Sequence, residues 1–287
     1  MKNLIEKALR KVHETVQQFD QEAVEIVKAG EGFGEVKNDI EIRADRTIGT
    51  TVLEFFRKDK TPQTVEIEGL KKFTQKNAKI LRVVDPLDGS LNFLRRRGTH
   101  GLPFCTAIAE FKGVKPYFRD YVAAGLIDLR NGDLWLAEKG NGCTLNGKPC
   151  RVSTLRTIDA RQGPIIIADF YYPDTRRLLA KILSDFKGYL RNPGSSGYEM
   201  ALVACGVADV YISSQQKNDS FAAGYSLVKE AGGVAVDFEG KDIADRLYEF
   251  EGQTPIIMAA TQKLAEEILE RVQKSQKKIG KEERDEN

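Results

Sequence analysis

Apolar residues recur along this chain with two different periods. Near the start, five of them follow a helical spacing, which predicts an amphipathic helix over residues 2–18. They are Leu4, Ile5, Leu9, Val12 and Val16. Over residues 104–137 apolar and polar positions alternate instead, and glycine-containing turns divide this stretch into an antiparallel meander. The chain therefore combines helices with sheet, and its 287 residues are enough for one large or two ordinary domains.

Further elements follow from the same patterns. A second helix is predicted over residues 21–29 and a closing helix over residues 264–272, while residues 64–69 and 163–170 are typical of strands. A second half of the molecule is expected to start near Arg156. The predicted organisation is an N-terminal half of residues 1–155, a C-terminal half of residues 156–273 and a charged tail of residues 274–287.

One short apolar run ends in two carboxylates. Residues 80–84 form a predicted buried strand, and Asp85 and Asp88 follow it three residues apart. Pro86 should stop the ladder, and Ser90 can begin a helix. The acids would then lie at the carboxyl end of a strand and the amino end of a helix, which suits a phosphate held with Mg²⁺. Two aspartates at this spacing also occur at ordinary helix caps and turns, so the pair alone leaves both interpretations open.

The longer motif resolves that choice by resemblance. Residues 85–93, D-P-L-D-G-S-L-N-F, closely resemble the first signature of the inositol monophosphatase family, D-P-[IL]-D-G-[TS]-x-N-F. Residues 191–196 are similar to the family's R-x-x-G-S-[SA] helix start. Residues 218–224, N-D-S-F-A-A-G, resemble the second signature, W-D-x-A-A-G, with asparagine in place of tryptophan and one extra residue between Asp219 and the alanines, and E-A-G-G follows at residues 230–233. The resemblance covers residues 39–260.

The resemblance implies a phosphatase that holds two or three Mg²⁺ ions per site. Aligning on Gly69 places Glu66 at a ligand position and Ile67 where a second glutamate is usual. The implied metal ligands are Glu66, Asp85, the Leu87 carbonyl, Asp88 and Asp219. The implied fold is a layered α+β sandwich, αβαβα, and the implied assembly is a homodimer.

The same resemblance implies roles in catalysis and substrate binding. Asp45 would help to position the attacking water together with the Ser90 hydroxyl, where the family usually has threonine. The implied substrate contacts are Gly89, Ser90, Tyr172, Gly194, Ser195 and Ser196. As lone residues, Ser195 and Asp219 would be ordinary helix caps, Asp45 a helix-terminal charge, and Tyr172 a core or interface tyrosine.

The substrate class is predicted less directly. A basic insertion at residues 95–97 and a Tyr-Tyr-Pro element at residues 171–173 favour a small sugar or polyol phosphate, inositol monophosphate or fructose 1,6-bisphosphate. One alternative is a phosphatase for 3′-phosphoadenosine 5′-phosphate or NADP. Another is a non-catalytic, metal-binding regulatory relative, motivated by the departures at Ile67 and Asn218.

Composition narrows the function classes. The net charge of +2 indicates no particular polyanion, so no nucleic-acid partner is expected. No apolar run is long enough to span a bilayer, and the charged N-terminus lacks a signal-peptide core, so a cytoplasmic protein without membrane contact is expected. With only two histidines, carboxylates and hydroxyls must carry the chemistry. The four cysteines form no C-x-x-C pair, which favours structural thiols.

Overall fold

The computed structural model describes residues 2–19, 26–29, 40–97, 100–158, 163–170, 173–183 and 188–285. Within these ranges the chain alternates helices with strands of two large sheets and one small one. The helices are α1 (Lys2–Val16), α2 (Arg43–Arg57), α3 (Ser90–Leu94), α4 (Pro173–Leu183), α5 (Ser196–Ala204), α6 (Asn218–Glu230) and α7 (Gln262–Asp285). No helix in this part of the chain combines the length and the apolar character that a membrane crossing requires.

An eight-stranded sheet carries the motif of residues 85–93. Its strand order is β10-β9-β8-β7-β6-β5-β3-β4, with β3 and β5 parallel and the remaining neighbours antiparallel. The strands are β3 (Gln63–Ile67), β4 (Phe73–Thr74), β5 (Ile80–Asp88), β6 (Cys105–Lys112), β7 (Tyr121–Asp128), β8 (Leu134–Glu138), β9 (Gly142–Leu145) and β10 (Lys148–Cys150). The predicted meander is confirmed as strands β6 to β8, which pair in sequence order.

A five-stranded mixed sheet forms the second half. Its order is β12-β11-β13-β15-β14, and β11 pairs in parallel with both β12 and β13. The strands are β11 (Ile165–Ala168), β12 (Tyr189–Arg191), β13 (Val210–Lys217), β14 (Val234–Val236) and β15 (Gln253–Ala259). The small sheet pairs β1 (Ile26–Ala29) with β2 (Ile40–Ile42).

The layers follow from which faces are buried together. Helices α1 and α2 cover one face of the eight-stranded sheet. Helices α5 and α6 fill the space between its other face and the five-stranded sheet. Helices α4 and α7 cover the outer face of the five-stranded sheet. This is the predicted αβαβα sandwich, which is confirmed, and helices α5 and α6 are the layer that both sheets share.

The first predicted helix illustrates how the pattern becomes packing. All of α1's inward positions are buried, and Ile5, Leu9 and Val12 are fully covered. The helix lies so close to β7 that a Cβ added at Gly125 would stand 2.7 Å from a Leu9 methyl and 2.9 Å from an Ile5 methyl. Glycine at this position therefore allows the apolar face of the helix to pack directly on the sheet.

Three local predictions differ from the structure. Ile26–Ala29 is a strand paired with Ile40–Ile42, not the end of a helix, because the cross-strand partner overrides local propensity. Strand β5 runs through Pro86 to Asp88, because the register against β6 slips between Asp85 and Asp88 and so removes the need for a proline N–H. Helix α7 continues past Val272 to Asp285, so most of the charged tail is helical.

Candidate active site

The motif of residues 85–93 lies where β5 meets α3. Gly89 has a φ of 90°, the left-handed conformation that glycine adopts without strain. It also permits a close approach, since a Cβ there would lie 2.9 Å from the Pro103 carbonyl oxygen and 3.1 Å from the Ser195 Cβ. The turn between strand and helix therefore touches the C-terminal half directly at Ser195.

Asp85 is the central carboxylate of the site and is 2% exposed. Its Oδ2 accepts a 2.6 Å hydrogen bond from the Ser220 hydroxyl. Its Oδ1 is buried and has no hydrogen-bond partner among the described residues. Burial raises the pKa of Asp85 well above its ordinary value, and the charges of Glu68, Asp88 and Asp219 raise it further. A buried carboxylate oxygen without a partner is costly unless a ligand satisfies it.

Asp219 reaches the same place from the first turn of α6 and is 3% exposed. Its carboxylate accepts a 2.8 Å hydrogen bond from the Ser220 backbone N–H. Burial, and next the charge of Glu68, raise the pKa of Asp219 to about 7, while nearby Lys217 lowers it. The structure thus brings Asp219 into electrostatic contact with Asp85, although 134 residues separate them in the sequence.

Asp88 faces the start of α5. Its Oδ2 accepts hydrogen bonds from the Ser195 hydroxyl at 2.8 Å and the Gly197 N–H at 2.6 Å, and its Oδ1 accepts from the Ser196 N–H at 3.2 Å. These bonds satisfy N–H groups at the positive end of the helix. Burial nevertheless raises the pKa of Asp88, because desolvation outweighs the stabilising hydrogen bonds. Asp88 therefore joins the two halves of the molecule at the site.

Ser90 and Asp45 meet as the resemblance implied. The Ser90 hydroxyl lies 3.3 Å from Asp45 Oδ1 and 2.9 Å from the Leu87 carbonyl oxygen. Asp45 stands in the first turn of α2, so the pair links this helix to the start of α3. The Leu87 carbonyl, a predicted metal ligand, accepts a hydrogen bond from Ser90 in this arrangement.

Two glutamates, one near the end of β3 and one just after it, have different surroundings. Glu66, the predicted ligand, is 7% exposed and forms a 2.5 Å ion pair with Lys72. Glu68 lies one step beyond the last β3–β5 pair, and its backbone N–H donates to the Val84 carbonyl at 3.2 Å. It therefore lies in the turn after β3, close to Asp85, and its charge raises the pKa values of both Asp85 and Asp219. Its own partner is Lys217, at 3.0 Å.

Sequence reasoning missed Glu68, although a signal existed. In the strand predicted over residues 64–69, alternation places Glu66 and Glu68 on one side, opposite the apolar Val65 and Ile67. In the structure β3 ends at Ile67, and Glu68 follows it directly, next to Asp85. Aligning on Gly69 obscured this, because the family's paired glutamates are separated here by an isoleucine.

The turn at residues 193–195 is hydrogen-bonded to Asn92 of the motif of residues 85–93. The Asn92 amide donates to the carbonyl oxygens of Pro193 at 2.8 Å and Gly194 at 3.2 Å. Gly194 has a φ of 81°, and its N–H donates to the buried Glu199 carboxylate at 2.7 Å. Ser195 is 1% exposed, so of the predicted contacts in this turn it is the one most enclosed. Tyr172 lies outside the described residues.

The donors at the site fit a hard divalent cation. Within the described residues, no three acidic, histidine or cysteine side chains already surround one point as a complete ligand set. The unsatisfied Asp85 Oδ1 and the raising of the pKa of Asp85 by the charges of Asp88 and Asp219 are, however, what a cation would relieve. Oxygen donors alone, without histidine or thiolate, suit Mg²⁺ rather than zinc.

Fold and site together indicate a class of protein, the hydrolases of phosphate esters, in which carboxylates at strand and helix ends face hydroxyl and N–H groups. A match to a family model identifies the chain more closely. Residues 2–277 match the model of the inositol monophosphatase family. The chain belongs to this family and is a phosphatase, and the family's activity depends on Mg²⁺. We therefore do not retain the interpretation of the chain as a non-catalytic relative.

Curated relatives agree with this membership. The protein named Nus factor SuhB from Escherichia coli strain K12 is 31% identical over 211 residues, which cover 71% of this chain and 73% of the relative. The protein of the same name from Pasteurella multocida is 29% identical over 244 residues, covering 82% and 83%.

Solved structures share the fold. The Thermotoga maritima IMPase superposes with a TM-score of 0.74 at 22% identity, covering 96% of this chain and 97% of the other. The suhB protein of Bartonella henselae gives 0.76 at 24% identity, covering 94% and 97%. An IMPase/NADP phosphatase complexed with Mg²⁺ and phosphate gives 0.73 at 18% identity, covering 94% and 93%.

Proposed function

We propose that this phosphatase hydrolyses the phosphate monoesters of small sugars or polyols, inositol monophosphate and fructose 1,6-bisphosphate among them. The observation that carries its Mg²⁺-dependent chemistry is Asp85, whose buried Oδ1 has no hydrogen-bond partner in the described part of the chain, while three further acids raise its pKa. The preference for small polyol phosphates rests on the sequence resemblance. Two or three ions per site, a homodimer, a cytoplasmic location and the absence of a nucleic-acid partner stay predictions.

We assign the cation to Asp85, Asp88, Asp219 and the Leu87 carbonyl, and we add Glu68 to the predicted set. Glu68 follows the end of β3, its backbone N–H donates to the Val84 carbonyl next to Asp85, and its charge acts on Asp85 and Asp219. Glu66 remains a predicted ligand, with the difference that it must first leave Lys72. Asp88 must likewise exchange some of its bonds to α5 for the cation. The chemistry that bound Mg²⁺ supplies is a lowered pKa of the attacking water and positive charge facing the phosphoryl oxygens.

Residues of the chain orient the water. The Ser90 hydroxyl has one proton and two lone pairs, so it can donate to Asp45 and accept from a water at the same time. The Asp45 carboxylate thereby fixes the direction of the Ser90 hydroxyl. In this arrangement the Leu87 carbonyl competes for the same proton, at 2.9 Å. A cation on Leu87 would leave Asp45 as the acceptor that remains.

The turn at residues 193–195 supports substrate binding. Gly194, Ser195 and Ser196 lie at the N-terminus of α5, next to Asp88, where N–H groups and hydroxyls favour an anion. Gly89 approaches this turn closely at Ser195, and Ser90 is the next residue along the chain. Tyr172 remains a predicted contact.

The insertion at residues 95–97 is only partly available as a basic lid. The Arg96 guanidinium stacks on the Phe93 ring at 3.5 Å and donates to the Phe93 carbonyl at 2.8 Å. Burial lowers the pKa of Arg96, which agrees with a side chain that packs inward. A second phosphate of a bisphosphate would therefore have to meet Arg95 or Arg97.

The test is a substrate panel on the whole chain. Phosphate release from inositol 1-phosphate, fructose 1,6-bisphosphate, 3′-phosphoadenosine 5′-phosphate and NADP is measured as kcat/KM, with Mg²⁺ and with EDTA. We expect inositol 1-phosphate and fructose 1,6-bisphosphate to have the highest kcat/KM values, and we expect EDTA to abolish phosphate release from every substrate. Asp85→Asn should lose activity by about a thousandfold or more, since the central carboxylate is gone.

The matched control is Glu239→Gln, which removes a charge from an exposed glutamate paired with Lys241. It should keep full activity. Circular dichroism establishes that both variants are folded. Phosphate release in EDTA, or full activity of folded Asp85→Asn, would contradict the mechanism. A higher kcat/KM for 3′-phosphoadenosine 5′-phosphate or NADP than for the other two substrates would contradict the proposed substrate class.

A further inference from the structure

Three of the four cysteines lie together, away from the acidic site. Cys143 and Cys150 are cross-strand partners in the β9–β10 hairpin, and Cys205 caps the C-terminus of α5. The Cys150 and Cys205 sulfurs are 2.7 Å apart. That separation is shorter than the about 3.5–4.0 Å at which non-bonded carbon atoms pack. The contact joins residues 55 positions apart in the sequence and brings the two halves together.

The surroundings fix Cys205 against the hairpin. The Trp135 indole N–H donates to the Cys205 sulfur at 3.0 Å. Cys143 is 2% exposed and Cys150 is 7% exposed, whereas Cys205 is only partly buried. Cys205 is thus the thiol of the three that a small molecule reaches first, and Cys150 is the thiol already in contact with it.

We propose that Cys150 and Cys205 are a redox-modification site and form a disulfide by exchange with a low-molecular-weight disulfide. The spacing of the cysteines gives no sign of this, because neither C-x-x-C nor any other paired motif contains them. The contact between Cys150 and Cys205 arises from the fold, which places the C-terminal end of α5 against the β9–β10 hairpin. The proposal is independent of the phosphatase reaction and of the bound ion.

The exchange balances without a further reagent. The Cys205 thiolate attacks a small disulfide, R–S–S–R, forms a mixed disulfide and releases one R–S⁻, which takes up the proton that Cys205 lost. The Cys150 thiolate then attacks the Cys205 sulfur, forms the internal disulfide and releases the second R–S⁻, which takes up the proton of Cys150. Two protein thiols are oxidised, and one small disulfide is reduced to two small thiols.

The environment makes this exchange slow at neutral pH. A hydrogen bond with Cys143, the largest cause, together with burial raises the pKa of Cys150 to about 12. The pKa of Cys205 is also raised, by its contact with Cys150 and by burial. Since the thiolate is the attacking species, incubation at mildly alkaline pH is needed to reach equilibrium.

The crosslink would constrain the part of the chain that completes the active site. Residues 150–205 include α4, all of α5 and the turn that carries Ser195. Closing this loop restricts the unfolded chain, so the oxidised protein should melt roughly 5–10 °C above the reduced one. The stabilisation should be independent of Mg²⁺, because no ligand of the acidic site takes part.

The test equilibrates the whole native chain with mixtures of oxidised and reduced glutathione at mildly alkaline pH and then traps free thiols by alkylation. We expect one internal disulfide, which peptide mass spectrometry assigns to Cys150 and Cys205, and a higher Tm in the same samples. All four thiols remaining free under strongly oxidising mixtures would overturn the proposal. A disulfide between Cys143 and Cys150 would overturn it equally.

Two variants separate the site from general thiol oxidation. Cys205→Ser should lose the disulfide and the rise in Tm. Cys143→Ser, a change within the same cluster, should keep both. If Cys143→Ser abolishes the crosslink while Cys205→Ser retains it, the assignment is wrong. Mapping of the unmutated protein decides the matter even where a variant fails to fold.

Discussion

The Ser220 hydroxyl donates a 2.6 Å hydrogen bond to Asp85 Oδ2, across 135 residues of sequence. The backbone N–H of the same residue donates to Asp219 at 2.8 Å. One serine in the first turn of α6 therefore orients two carboxylates that come from opposite halves of the molecule. Asp85 Oδ1, which has no hydrogen-bond partner among the described residues, is the oxygen that we propose for the cation.

Ser220→Ala should weaken Mg²⁺ binding by roughly 10- to 100-fold, because residues that orient metal ligands typically contribute this much. Isothermal titration with Mg²⁺ measures it directly, without turnover. Ser226→Ala is the matched control, since Ser226 is also buried in α6 but donates only to the Ala222 carbonyl, at 3.0 Å. Equal affinity in both variants would show that Ser220 has no positioning role.

Ser90→Ala should lower kcat by about 100-fold or more while Mg²⁺ affinity changes little, because the hydroxyl orients the water and is not itself a ligand. Steady-state kinetics and Mg²⁺ titration separate the two quantities. Ser90→Thr keeps the oxygen and should retain most of the turnover. A loss of Mg²⁺ affinity that exceeds the loss of kcat would reassign Ser90 to metal binding or structure.

Glu68→Gln should weaken Mg²⁺ binding more than Glu66→Gln does, by about tenfold. The reason is position: Glu68 lies beside Asp85, whereas Glu66 is paired with Lys72 at 2.5 Å. The two variants make the same chemical change two residues apart in the sequence, one in β3 and one just after it, so each is the control for the other. A larger effect at Glu66 would restore the ligand that the sequence alignment predicts.

The pH dependence of stability without divalent ions should report the acidic cluster. The pKa of Asp219 is about 7 in the folded chain, against an ordinary 3.8 in the unfolded one. Between these values the folded state binds the proton more tightly, so the contribution of Asp219 to stability declines as pH rises from about 4 to 7. At 1.36 kcal/mol per pKa unit, the decline is on the order of 4 kcal/mol.

Asp219→Asn should therefore be more stable than the parent above pH 7 in EDTA, and nearly equal to it near pH 4. Urea unfolding across this pH range measures the difference. Saturating Mg²⁺ should reverse the order, because the parent then gains the free energy of ion binding. A variant that is less stable than the parent in EDTA at high pH would contradict the raised pKa.

The path of the meander could be predicted from the alternation of apolar and polar residues, whereas the layered fold was implied by the family resemblance. The period of the apolar residues located α1, and the motif of residues 85–93 located the turn between β5 and α3. The strand at Ile26–Ala29 could not be found this way, because its partner, Ile40–Ile42, lies beyond a stretch that carries no hairpin signal. Local pattern reports propensity, whereas strand pairing is decided by the partner.

At the site, the sequence identified the candidate acidic residues but not the orientation of their carboxylates. It gave no indication that Asp88 would accept hydrogen bonds from α5, or that Ser220 would bridge Asp85 and Asp219. These contacts depend on how α5 and α6 pack between the sheets. Glu68 was within reach of sequence reasoning, by strand alternation, but the alignment on Gly69 favoured Glu66 instead.

The helical layer that the two sheets share has a consequence for synthesis on the ribosome. The first sheet is complete once residue 150 has emerged, but the helices that cover its inner face span Ser196–Ala204 and Asn218–Glu230. Until those segments leave the exit tunnel, an apolar surface of the nascent chain stays bare, with Asp85 beside it. Chaperone binding should therefore peak in that interval and end as α6 docks.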